Sequence, residues 1–185
     1  WLGETNAHPD PAATQVGRML GNFRILLVDR DYLGCLLGLA FSYSALFAFI
    51  SGSSFVLIGT YGLSPAVYGL CFGFVVAGFI TGTQVAGRLV RRLGAARLVL
   101  AGGWVGALGG LAMLALDLAG VRHLAAVLAP MFVVAASVGL VMPNAAARAL
   151  APYPKMAGAA SALMGFSQMG TAALVGIVVG HGVEA

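Results

Sequence analysis

Five blocks of apolar residues, each near the ~20 residues that cross a ~30 Å hydrocarbon core, constrain this chain more than any other feature. They run over about 34–58, 65–86, 97–116, 124–142 and 157–179. Inside them the apolar residues are continuous, without the 3.6-residue or 2-residue alternation of an element that faces water on one side. The composition agrees: 60% of residues are hydrophobic and 9% charged, with a mean hydropathy of +0.96, where a soluble domain carries about 25% charge. The expected class is therefore an all-α integral membrane protein of five transmembrane helices, with lipid as its main solvent.

Local signals mark the ends of the blocks. Ser64-Pro65 places an N-cap residue before a proline at the first helical position of the second span. Pro143 marks an end or a kink of the fourth. Residues 1–31 form a polar connector ahead of a transmembrane bundle over 32–185. Within the connector, Val16 to Val28 carries an apolar stripe of Met19, Leu20, Phe23, Leu26 and Leu27 with Arg18 and Arg24 off it. That pattern fits a short interfacial helix, and a partly disordered linker fits it as well. The chain opens on Trp1 and stops at Ala185 directly after an apolar block, which is the expectation for a piece of a longer protein.

Charge orients the spans, because loops rich in Lys and Arg stay in the cytoplasm. Arg18, Arg24 and Arg30 precede the first span, Arg88, Arg91, Arg92 and Arg97 lie between the second and third, and Arg148 and Lys155 between the fourth and fifth. Those three segments fall on one face. The other face receives the turn 59–64 and the loop 117–123, whose basic residue is Arg122. The connector is thus expected inside the cell and the last span to exit outward. Because the basic residues flank apolar blocks, their partners are expected to be membrane lipids and not nucleic acid.

Glycine, at 27 residues, permits close approach of helices in a bilayer. Pairs four residues apart occur at Gly34/Gly38, Gly69/Gly73, Gly78/Gly82 and Gly176/Gly180, with a triple at Gly102/Gly106/Gly110. Cys35 and Cys71 sit in apolar stretches without a CxxC or Cys/His cluster, so they are expected to pack and no metal or cofactor is expected. Enzymatic readings have little support: Gly165-Phe166-Ser167-Gln168-Met169-Gly170 lacks the last glycine of a nucleophile turn, and His123 and His181 fall at span edges.

The segment Gly87-Arg88-Leu89-Val90-Arg91-Arg92-Leu93-Gly94-Ala95-Ala96-Arg97 resembles the G-x-x-x-D-R-x-G-x-x-R loop of the major facilitator superfamily. Gly87, Arg92, Gly94 and Arg97 match it, and Arg91 stands where an acidic residue is usual. Trp1-Leu2-Gly3-Glu4-Thr5 looks like the L-P-E-T segment that ends the sixth helix in many drug/proton antiporters. Ile50-Ser51-Gly52-Ser53-Ser54-Phe55-Val56-Leu57 with Tyr61-Gly62-Leu63-Ser64 is similar to a stretch of the bicyclomycin-resistance (Bcr/CflA) subgroup, Ser54 replacing its proline. So is Met142-Pro143-Asn144 through Ala149-Leu150 with Ala157-Gly158 through Gln168.

The resemblance covers the whole chain and implies five helices of the C-terminal six-helix bundle of a major facilitator fold, paired with an N-terminal bundle. It implies a parent in the bacterial inner membrane that exports small amphipathic drugs in exchange for protons. In that arrangement Tyr43 and Phe47 on the first span, and Phe166, Gln168 and Met169 on the fifth, are the candidate substrate-binding residues, standing as opposite walls of a cavity. Gly87, Arg92, Gly94 and Arg97 are the candidate gating motif. No carboxylate lies within a span except Asp117 at an outer end, so the proton-carrying acid is expected elsewhere in the parent. A transporter of a sugar or metabolite, and a small membrane scaffold, stand as alternatives.

Overall fold

The computed structural model describes residues 16–184, with side chains over 17–181; the Trp1-to-Thr5 segment lies outside the described residues. Helix α1 spans Val16–Val28, and a single residue, Asp29, separates it from α2 at Arg30–Ser54. The chain continues from α2 through a wide π-type turn, Phe55–Thr60. Helices α3 at Pro65–Leu93, α4 at Ala95–Leu118, α5 at Leu124–Leu150 and α6 at Ala157–Glu184 follow, with a 3-10 turn at Pro154–Met156. Five of these helices are long and apolar enough to cross a membrane, and among the described residues there is no strand.

Each start has a local cause. The Asp29 carboxylate accepts from the amides of Asp31 at 2.8 Å and Tyr32 at 3.2 Å, capping α2. Ser64 Oγ accepts from Val67 N at 3.4 Å ahead of Pro65. His123 Nδ1 accepts from Ala125 N at 3.2 Å and begins α5.

The helices run past the expected ends. The segment read as a loop over 87–97 is helical up to Leu93, and α4 resumes at Ala95. One residue makes the reversal: Gly94, at φ 79°, a conformation that a Cβ disfavours. Nor does Pro143 end the fourth span, since α5 continues to Leu150. A proline removes one amide donor from the ladder, here the one that would reach the Gly139 carbonyl; beside it Asn144 Nδ2 donates to a different carbonyl, that of Leu140, at 2.7 Å. Membrane helices tolerate proline where neighbouring helices pack around it, as α2, α3 and α4 do here.

Helix α5 is the central post, packed against α3, α4 and α2, while α6 packs on α2. Backbones nearly touch where α3 crosses α5. A Cβ at Gly78 would lie 2.6 Å from the Phe132 carbonyl oxygen, one at Gly82 would overlap the Ala136 carbonyl, and one at Gly139 would overlap that of Phe79. Against α4, the glycines that meet α5 are Gly102, Gly106 and Gly109. Gly110 of the expected triple has nothing within 4 Å of its Cβ position, and neither do Gly34, Gly69, Gly73 and Gly180. The 3.6-residue turn decides this, because an i, i+4, i+7 set stays on one face better than i, i+4, i+8. Cys35 and Cys71 are buried free thiols.

Candidate functional site

The seam between α2 and α6 carries the sequence candidates. Midway along it Ser44 Oγ donates to Thr171 Oγ1 at 3.0 Å, and the Thr171 hydroxyl turns back to the Ser167 carbonyl at 2.8 Å. Ser44 is buried, and a hydroxyl in an apolar surround needs such a partner. Tyr43 and Phe47, one helical turn apart, stack with ring centroids 6.3 Å apart. Phe47 lies against α6 where that helix has no side chain: a Cβ on Gly176 would come within 3.2 Å of its Cε1. Farther along, Gly52 meets Val179 in the same way, at 3.1 Å.

In the structure α2 and α6 are in direct contact, with Tyr43 and Phe47 on one and Phe166, Gln168 and Met169 on the other. Phe166 and Met169 are 76% and 59% exposed on α6, while Tyr43, Phe47 and Gln168 are half-buried. By helical phase Met169 flanks the seam on the side of Gly176, and Phe166 lies farther round. The candidates thus lie on two adjacent helices, with Phe166 turned away from the α2 seam. Ser167 sits mid-α6 and His181 fourteen residues on, about 21 Å along the axis at 1.5 Å per residue, so the two cannot meet.

A second cluster, which the sequence reading missed, ties the basic ends together. Asp29, besides capping α2, accepts a short hydrogen bond from the Tyr153 hydroxyl. That hydroxyl, followed by the Tyr32 and Asp31 amides, holds the Asp29 carboxyl below the usual carboxylate range. The same bond holds the Tyr153 phenol above its ordinary value. Tyr32, in edge contact with Tyr153 at 5.9 Å, donates to the Ala160 carbonyl at 2.8 Å. Arg148 at the end of α5 pairs with Asp31 at 3.2 Å, but their side chains are 37% and 81% exposed, so the pair adds little stability. Together they clasp the start of α2 to the connection between α5 and α6, around a 440 Å³ cavity that also reaches Ala95. The signal available in the sequence was Asp29 itself, a capping residue three positions before a long apolar run. Because α2 starts at Arg30, Asp31 joins Asp117 as a carboxylate at the end of a spanning helix.

At the opposite end a 670 Å³ cavity opens between α2, α4 and α5, lined by Phe49, Leu57, Met113, Met131 and Val134, with Asp117 and Arg122 at its edge. Of the expected gating motif, Gly87 is on α3 with open space beside it, Arg92 is in the last turn of α3, Gly94 is the reversal and Arg97 is in the first turn of α4. All four are exposed.

A family model described as Major Facilitator Superfamily matches residues 1–176. The Bicyclomycin resistance protein homolog of Haemophilus influenzae is 26% identical over 178 residues, which are 96% of this chain and 44% of that protein. The Uncharacterized MFS-type transporter YdgK of Bacillus subtilis is 26% identical over 170 residues, 90% of this chain and 41% of that protein. The chain thus spans less than half the length of these relatives. No solved structure matches it.

Proposed function

Since the chain belongs to the Major Facilitator Superfamily, a family of transporters, we propose that it forms part of a multi-pass inner-membrane protein that exports small amphipathic drugs in exchange for protons. The observation that carries this reading is similarity along 96% of the chain to a protein named for bicyclomycin resistance. In the proposed arrangement an N-terminal bundle of the same protein completes the path, and the α2–α6 surface lines it with Tyr43, Phe47, Gln168, Met169 and Phe166. Aromatic and Met side chains with few directional groups suit a weakly selective apolar ligand. The carboxylates Asp31 and Asp117 stand at helix ends, so the acid that carries the proton is assigned to the remainder of the parent.

The test is a resistance profile of the full-length protein with Tyr43→Ala, Phe47→Ala and Phe166→Ala. Losing one ring costs about 1–3 kcal/mol of binding, and because apolar contact is non-directional the loss should differ from drug to drug at unchanged expression. Parallel loss of all substrates together with loss of folded protein would return these residues to bundle core. For the motif, Arg92→Ala should reduce transport more than Arg88→Ala.

A further inference from the structure

The chain's longest interval without a carboxylate that also carries a cluster of basic residues is 32–116. Between Asp31 and Asp117 there is no carboxylate, and the basic residues in that interval are Arg88, Arg91, Arg92 and Arg97. Arg18, Arg24 and Arg30 share their segment with Glu4, Asp10, Asp29 and Asp31, and Arg122 shares its loop with Asp117. All four arginines are exposed, and among the described residues none of them makes an ion pair or a side-chain hydrogen bond. Arg148, by contrast, is paired with Asp31.

Geometry gathers these charges. Arg88, Arg91 and Arg92 stand at i, i+3 and i+4 on the last turns of α3 and so share one face. Gly94 reverses the chain in one residue, and Arg97 follows three residues later in the first turn of α4. The group sits where two helices long and apolar enough to cross a membrane end, which is where lipid headgroups meet a spanning helix. Guanidiniums grouped within ten residues without a carboxylate repel one another, and each is built to take two phosphate oxygens at once. Orientation of the helices requires only positive charge on that side; a clustered set without carboxylates goes beyond that need.

We infer that the α3–α4 turn is a binding surface for anionic phospholipid headgroups, which supply the missing counter-charge. The inference rests on the membrane-spanning helices and not on the transported compound, so its test requires no transport. The intact protein is reconstituted in phosphatidylcholine bilayers, and its association with spin-labelled phosphatidylglycerol is compared with that of spin-labelled phosphatidylcholine. Wild type should favour phosphatidylglycerol roughly five-fold or more. The preference should fall below about two-fold with Arg91→Gln/Arg92→Gln or in about 1 M salt, where the screening length is near 3 Å. It should persist with Arg91→Lys/Arg92→Lys and with Arg122→Gln. Should the glutamine variant fail to fold, the salt series on wild type decides. No preference in wild type, one that survives high salt, or displacement by millimolar glycerol phosphate each overturns the proposal, the last by showing a site for a soluble phosphate.

Discussion

The α3–α5 seam and the α2–α6 seam both join long apolar helices, but they do so by opposite means. At the first, Gly78, Gly82 and Gly139 let main chains meet, and a single carbon would collide with a carbonyl. At the second, side chains mediate: the Ser44–Thr171 hydrogen bond and the Phe47 ring resting on Gly176. A backbone contact is exacting in space and indifferent to chemistry, since nothing at it can turn aside. A side-chain contact is the reverse, because a ring can tilt and a hydroxyl can find another acceptor. The first seam suits a fixed block and the second a surface that adjusts to what lies beside it.

The largest test of this contrast is Gly82→Ala, which places a methyl against the Ala136 carbonyl. Overpacking against backbone should cost about 3 kcal/mol or more, read by reversible unfolding in mixed micelles. Gly73→Ala on the same helix, with nothing within 4 Å, should stay within about 0.5 kcal/mol. Equal effects at the two positions would erase the contrast.

On the other seam, Gly176→Ala should cost no more than about 1 kcal/mol, because Phe47 can move, and the cost should vanish in a Phe47→Ala background. Ser44→Ala should cost about 0.6 kcal/mol, with a comparable coupling to Thr171→Val in a double-mutant cycle. A cost there as large as that of Gly82→Ala would show a seam as unyielding as the first.

The smallest effect is expected at the exposed clasp. Folding lowers the Asp29 pKa, so its contribution is present above the unfolded carboxylate value of about 3.9 and is lost as pH falls through the lower folded value. Folding raises the Tyr153 pKa, so its contribution is present below about 10 and is lost as pH rises through the higher folded value. Melting of the intact protein should therefore show no clasp-dependent change between these limits. Tyr153→Phe should reduce the acid-side difference, leaving the part due to the Tyr32 and Asp31 amides, and an undiminished difference in the variant would exclude the bond as a source.

Helix number and class were legible because a lipid-crossing helix must be long and continuously apolar, and that requirement is written in order along the chain. The ends were not. Arg88, Arg91 and Arg92 look like loop residues, yet arginine at a helix C-terminus complements the helix dipole and long side chains reach water from a helical position. Pro143 was misleading because a membrane helix can absorb one lost donor when neighbouring helices pack around it, and α5 is packed against α2, α3 and α4. The glycine pattern marked close packing but not its partner: choosing Gly109 over Gly110 depends on the rotation of α4 about its own axis. The Asp29–Tyr153 bond joins residues more than a hundred positions apart, and no local spacing announces it.

The one-residue reversal at Gly94 makes α3 and α4 a lever. At 1.5 Å per residue the 29 residues of α3 and the 24 of α4 extend about 43 Å and about 36 Å from a common fulcrum. With no slack at the fulcrum, neither arm can slide along its axis without dragging the other. Rocking is the movement left, and it is amplified with distance: a tilt of about 10° that barely shifts the arginines displaces the far tips by about 6–8 Å. The far tips end in the loops at 61–64 and 119–123. Any motion this hairpin makes is therefore felt chiefly there, and a spin-label pair across those two loops reads it at its greatest amplitude.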